Sequence, residues 1–241
     1  MKLTPQEKAA RRAAFQAMSG AKKREHIWEY YKWPILLGLL GLIVLGSILH
    51  NALTKKEPVL YLALANVAAG EELEAALTEG YLESAGYDAR RQEVSLYPDL
   101  YLTDDADTPN HQYAYASRMK LMGALASQKL DLVLMNREGY DFLSRQGYLL
   151  ALPELLDARL TELLTENEVV LSDNTIEVLL GEAEEEQRVT ETAQNALDVS
   201  ALPLFQGAGF DGALYLGVIA NSPRLEEGLR FIRYLSPSLL P

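Results

Sequence analysis

The sequence predicts a three-layer α/β fold with a largely parallel sheet, preceded by one N-terminal transmembrane helix. Three observations carry that prediction. A charge-free apolar run separates a basic N-terminal stretch from an acidic remainder. Beyond it, short apolar runs of strand length alternate with helix-length segments, the pattern of right-handed βαβ crossovers. Finally, a hydrophobic fraction of 49% is that of a chain whose bulk folds.

The charges are divided unevenly. Residues 1–33 hold eight Lys/Arg against three Glu, and residues 57–241 hold twelve against thirty-one Asp/Glu, a local balance of −19. So negative a domain repels a phosphate backbone, and no nucleic-acid partner is expected. There is no cysteine, which excludes disulfides, thiolate metal sites, a cysteine nucleophile and a lipid-bearing cysteine anchor.

Thr4-Pro5-Gln6-Glu7 has the form of a capping box with proline at the first helical position, and predicts a helix from Pro5 to about Met18. A second short helix should lead through Trp28 towards the membrane. Residues 34–53 read PILLGLLGLIVLGSILHNAL, without a formal charge. Twenty residues at about 1.5 Å each span roughly 30 Å, the thickness of a bilayer core. Trp28, Tyr30, Tyr31 and Trp33 precede the run and suit the headgroup interface. The excess of Lys/Arg on the same side places the N-terminus in the cytoplasm. A 33-residue basic region and the poor cleavage site Leu49-His50-Asn51-Ala52 favour an uncleaved anchor over a signal peptide. The organisation expected is a basic cytoplasmic tail over 1–33, a transmembrane helix over 34–53, a linker over 54–58 and an outer domain over 59–241.

Within that domain Val59–Ala65 reads as a buried strand. Glu71–Ala85 follows as a helix whose first turn carries Glu71, Glu72 and Glu74, where the helix dipole favours anions; Gly86 ends it. Arg91–Leu96 is a second strand, Tyr113–Gln128 a helix, Asp131–Met135 a third strand, and Glu138–Gln146 a further helix. Thr175–Gly181 is a strand next to the acidic run GEAEEEQ. Gly212–Leu235 supplies a closing strand and helix, with Ser222-Pro223 as N-cap and first residue and Leu225, Leu229, Ile232 and Leu235 as its apolar face.

Few residues offer chemistry. The three histidines, His26, His50 and His111, are scattered over tail, membrane run and outer domain, so neither a Ser-His-Asp triad nor a paired-histidine zinc site is expected; His111 reads as a loop residue. Asp104, Asp105 and Asp107 lack the glycine and distal glutamate of a calcium loop and read as a solvated loop. Glu182, Glu184, Glu185 and Glu186 read as a solvated run, and Gly207-Ala208-Gly209 as a flexible turn. No catalytic residue, metal ligand or cofactor is expected. In open α/β sheets ligands sit beyond the carboxyl ends of strands. That rule makes Asn66 and Asn136 the candidate ligand-binding residues, with the turn role common for asparagine as the alternative.

Two resemblances add to this reading. KREHIWEYYKWPI, Lys23–Ile35, is similar to the juxtamembrane stretch of small membrane-anchored proteins of clostridia-type Gram-positive bacteria. The stretch Ser127–Leu156, with Asp131, Gly147, Leu149 and Leu152, resembles extracellular solute-binding proteins of the periplasmic-binding-protein type II class, as does Gly212–Leu235. That resemblance implies one lobe of the fold, with a small insert at about 157–211 in place of a second lobe. It further implies a single-pass, membrane-anchored extracellular binding or interaction module, non-enzymatic and accessory to a membrane complex. Its partners would be the lipid bilayer and another membrane protein or a small solute. A small-solute receptor with a reduced cleft is the alternative, and a cell-wall hydrolase the third.

Overall fold

The structure, a computed structural model, describes residues 4–17, 19–105, 107–180, 187–208, 210 and 212–236, several of them in the N-terminal helices and at the tips of one hairpin by backbone alone. It forms two compact units, Met1–Lys55 and Lys56–Pro241.

The first unit is two helices, α1 (Pro5–Ala17) and α2 (Gly20–Thr54). The capping box forms as expected. Thr4 N and Oγ1 both donate to Glu7 Oε2, at 2.9 and 2.8 Å, and Glu7 N donates back to Thr4 Oγ1. The helix expected to lead in through Trp28 is continuous with the apolar run, because α2 continues through Pro34. The apolar run therefore lies on one unbroken helix. Leu36, Leu37, Leu39, Leu40, Leu42, Ile43, Val44, Leu45 and Leu49 are each 48–68% exposed. Trp28 and Trp33 are exposed at 61% and 69%; the side chains of Tyr30 and Tyr31 lie outside the described residues. Among the described residues no helix is long and apolar enough to cross a membrane.

The second unit is an α/β fold around one mixed six-stranded sheet. Its elements are β1 (Glu57–Ala65), α3 (Glu71–Ala75), a π-helical turn (Ala76–Gly80), α4 (Tyr81–Ser84), β2 (Gln92–Leu100), α5 (His111–Ala126), β3 (Leu132–Met135) and α6 (Arg137–Arg145). Then come α7 (Ala158–Glu166), β4 (Val170–Leu180), β5 (Gln187–Asp198), α8 (Pro203–Gln206), β6 (Tyr215–Val218) and α9 (Leu225–Leu235). The strand order is β2-β1-β3-β6-β5-β4.

The expectation of a largely parallel sheet is corrected. Strands β2, β1 and β3 are parallel, while β6, β5 and β4 are each joined antiparallel to their neighbours. The reason is how the chain returns. β4 and β5 form a hairpin, and Val199 N donates to Leu214 O at 2.9 Å, so the chain leaves β5 and re-enters as β6 at the same edge. A strand buried on both faces reads as an apolar run in either direction, so the pattern of residues carries no sign of orientation. The segment expected as an insert, 157–211, contributes β4 and β5 to the main sheet.

Alternation along the strands creates two cores. Leu60, Leu62 and Leu64 of β1, Leu132 and Leu134 of β3, and Leu216 and Val218 of β6 face helices α3, α4, α7, α8 and α9. Ala63, Ala65, Val133, Met135 and Tyr215 point the other way, to α5 and α6. Each such fully buried leucine contributes about 1.5–3 kcal/mol relative to exposure.

One expected cap moves. Helix α9 starts at Leu225, and Ser222 is buried one turn earlier with its Oγ donating to Asp131 Oδ1 at 2.6 Å. A buried carboxylate demands donors, and that demand recruits the serine away from the helix terminus.

Candidate functional site

The carboxyl edge of the parallel strands is where a ligand was expected, and both candidate asparagines stand there with local partners. Asn66 follows β1 at φ 57, in the left-handed region that asparagine tolerates. Its Nδ2 donates to Leu102 O at 2.7 Å and its Oδ1 accepts from Leu102 N at 2.8 Å. It thus clips the end of β1 to the segment after β2. Asn136 follows β3 and caps α6, with Oδ1 accepting from Gly139 N at 2.9 Å. The strand ends bring the two residues together, since Asn136 N donates to Ala65 O and Asn66 Nδ2 lies 3.4 Å from Glu138 Oε2. Neither asparagine lines the groove of about 400 Å³ between α3 and α8, which is formed by Gly70, Glu72, Leu73, Ala76, Leu204 and Ala208 among others. Among the described residues Glu72 is the only charged group that lines it, and no aromatic ring does.

The best-connected polar groups of the unit lie elsewhere and hold elements together. Asp131, 1% exposed, accepts from Ser222 Oγ, Tyr61 N and Arg224 Nε. The Arg224 guanidinium lies over the Tyr61 ring at 4.7 Å, so the loop between β6 and α9 is stapled to the start of β3. On α9, Glu227 accepts hydrogen bonds from the hydroxyls of Tyr81 and Tyr87. Burial, reinforced by that carboxylate, pushes the Tyr81 hydroxyl well above its ordinary value of 10.0. A third network joins three buried side chains: Tyr140 Oη donates towards Ser172 O and Asn195 Oδ1, and Asn195 Nδ2 donates to Ser144 Oγ. It ties α6 to the β4–β5 hairpin, and burial raises the Tyr140 pKa as well.

The surface feature without a structural explanation is helix α5. Its inner face, Ala114, Ser117, Leu121, Ala124 and Leu125, packs on the sheet. Its outer face carries Tyr115, Met119 and Met122 at 68%, 52% and 54% exposure. With Ala126 these residues follow a four-three-four spacing, the interval of a helix-packing seam. Gln112, Ala116 and Gly123 fill the rest of that outward sector, which holds no charged residue. The patch continues from Met122 and Ala126 into a groove of about 360 Å³ against Tyr148, Ala220 and Asn221. One rim is charged: Arg118 and Arg145 share Asp104, and Arg118 Nε has no hydrogen-bond partner among the described residues. At the opposite rim Lys120 Nζ lies 5.5 Å from the Tyr97 ring centroid.

Among the described residues no three His, Asp or Glu side chains come together in a way that could hold a metal ion. Asp104, read as a solvated loop residue, pairs with two arginines, and His111 is the first residue of α5, where a loop was expected. Residues 182–186 and Gly209 lie outside the described residues. No protein-family model, no curated protein and no solved structure matches the chain. The α5 face was missed in the sequence although its signal was present. From Thr108 to Leu130 there is no Asp or Glu, in a chain that has 34 of them.

Proposed function

We propose that the chain is a single-pass, membrane-anchored extracellular interaction module, non-enzymatic, which serves a membrane complex through the outer face of α5. The observation that carries this reading is the placement of exposed apolar side chains. Among the described residues of the folded unit the large exposed hydrophobics are Tyr113, Tyr115, Met119, Met122 and Val170, and four of the five belong to one helix. Apolar surface gathered in this way marks a contact site. The anchor rests on the charge-free run 34–53, on the exposure of its described side chains, and on the eight basic residues before it.

Under this reading the α/β unit is one lobe of a solute-binding fold turned to binding macromolecules. The polar residues at its carboxyl edge serve the fold, as the partners of Asn66 and Asn136 indicate. The groove beside α3 has a volume suited to a small ligand, but among the described residues it lacks the convergent polar and aromatic groups that a solute receptor needs.

Protease treatment of intact cells tests the anchor. It should remove residues beyond about 57 and spare the N-terminal tail. Loss of the tail with retention of the α/β unit would overturn the topology.

A further inference from the structure

We propose that α5 is a homodimer seam, on which the same helix of a second copy packs antiparallel. The inference rests on the interaction-module reading above and names its partner. Two antiparallel copies related by a two-fold axis between Lys120 and Leu121 place Tyr115 opposite the partner copy's alanine at 126, and Met119 opposite its methionine at 122. Large meets small at the ends of the seam, and the two flexible thioethers of each copy meet at its centre. Ala116 and Gly123 lie together on one flank, and the same axis sets Ala116 within about 3 Å, along the helices, of the partner copy's glycine at 123. A Cβ at Gly123 would meet nothing within 4 Å, so the backbone there is open to close approach.

Charge selects the same surface. Two copies of a chain with net charge −12 repel over most approaches. The stretch Thr108–Leu130, without a carboxylate, is where they can meet without opposing negative charges. Lys120 stands at the rim against the Tyr97 ring, where solvent screens it from its symmetry mate. One helix face is small for a stable dimer in free solution. Anchoring both copies in one membrane raises their effective concentration, and a small interface then suffices.

The chain contains no cysteine, so introduced thiols have no background. Full-length Tyr115→Cys and Ala126→Cys chains, produced together in one membrane and oxidised, test the register. The mixed disulfide should exceed that formed by Tyr115→Cys alone at least about tenfold, because thiols with Cα atoms beyond about 7 Å cannot bridge. Two copies of residue 115 would stand about 16 Å apart along the helices. Bridging by Tyr115→Cys alone to the same extent as the mixed pair overturns the antiparallel seam.

Failure of every pair to bridge overturns the proposal as well, and labelling of Met122→Cys with an impermeant maleimide then separates the two readings. A thiol still shielded means that another protein or the lipid surface covers α5, so the second copy is excluded and the interaction module stands. A freely labelled thiol removes both.

Discussion

Helices α5 and α9 pack on opposite faces of the same sheet, yet they treat solvent differently. Helix α9 buries Gly228, Phe231, Ile232 and Leu235 and turns Glu226, Arg230 and Arg233 outward. That is the ordinary amphipathic solution. Helix α5 buries an equally apolar face and turns Tyr115, Met119 and Met122 outward. A helix apolar on both sides is built for two contacts, and the folded unit supplies only one of them. The difference separates what stabilises this unit from what it presents.

The inner faces should be equivalent. Phe231→Ala is expected to cost about 3–5 kcal/mol and Leu121→Ala about 2–5, both read from urea midpoints. A tolerated Leu121→Ala would mean that α5 is not packed as described. The staple that leads into α9 comes next. Asp131→Ala leaves Arg224 without its buried partner and should cost about 3 kcal/mol, the low end for a buried pair because Arg224 is partly exposed.

Alkaline pH should loosen the α9 side. Burial holds the Tyr81 hydroxyl above 10.0, so above that pH the unfolded chain loses a proton which the folded chain keeps. The unfolded state then binds fewer protons, and stability falls as pH rises. Tyr81→Phe should flatten that alkaline decline, and an unchanged decline would place its origin elsewhere. Asn136→Ala removes the cap of α6 and should cost about 1 kcal/mol. A loss of small-ligand binding without that change in stability would return Asn136 to the role of ligand contact. The smallest effect belongs to the outer face of α5: Met119→Ser with Met122→Ser should shift stability by less than about 0.5 kcal/mol per site. A larger loss would mean that the exposed methionines serve the fold.

Much of the fold was legible in the sequence because burial writes itself into apolar spacing. β1 and α6 begin and end within two residues of expectation, and the Thr4–Glu7 capping box forms in full. Strand direction was not legible, since Leu132–Met135 and Tyr215–Val218 are buried on both faces alike and run opposite ways. The antiparallel half of the sheet depends on the same-edge return between Val199 and Leu214, a long-range pairing without a local signature. The candidate site was legible only in part. Asn66 and Asn136 were placed correctly at strand ends, but which hydrogen bonds would occupy them depends on Leu102 and Gly139, brought in by the fold. The α5 seam was readable as spacing. What marks it as a site is that Tyr115, Met119 and Met122 stay uncovered after folding, and only the packed structure reveals that.

The comparison between the two helices provides the most direct measurement. Met122→Cys on α5 and Glu226→Cys on α9 both lie on outward faces of a chain without native cysteine. In intact cells producing the full-length protein, an impermeant maleimide should label the α9 thiol readily and the α5 thiol at least about tenfold more slowly, the ratio expected when nine copies in ten are covered. Equal rates at the two positions would contradict the account, because the outer face of α5 would then be as bare in the membrane as that of α9.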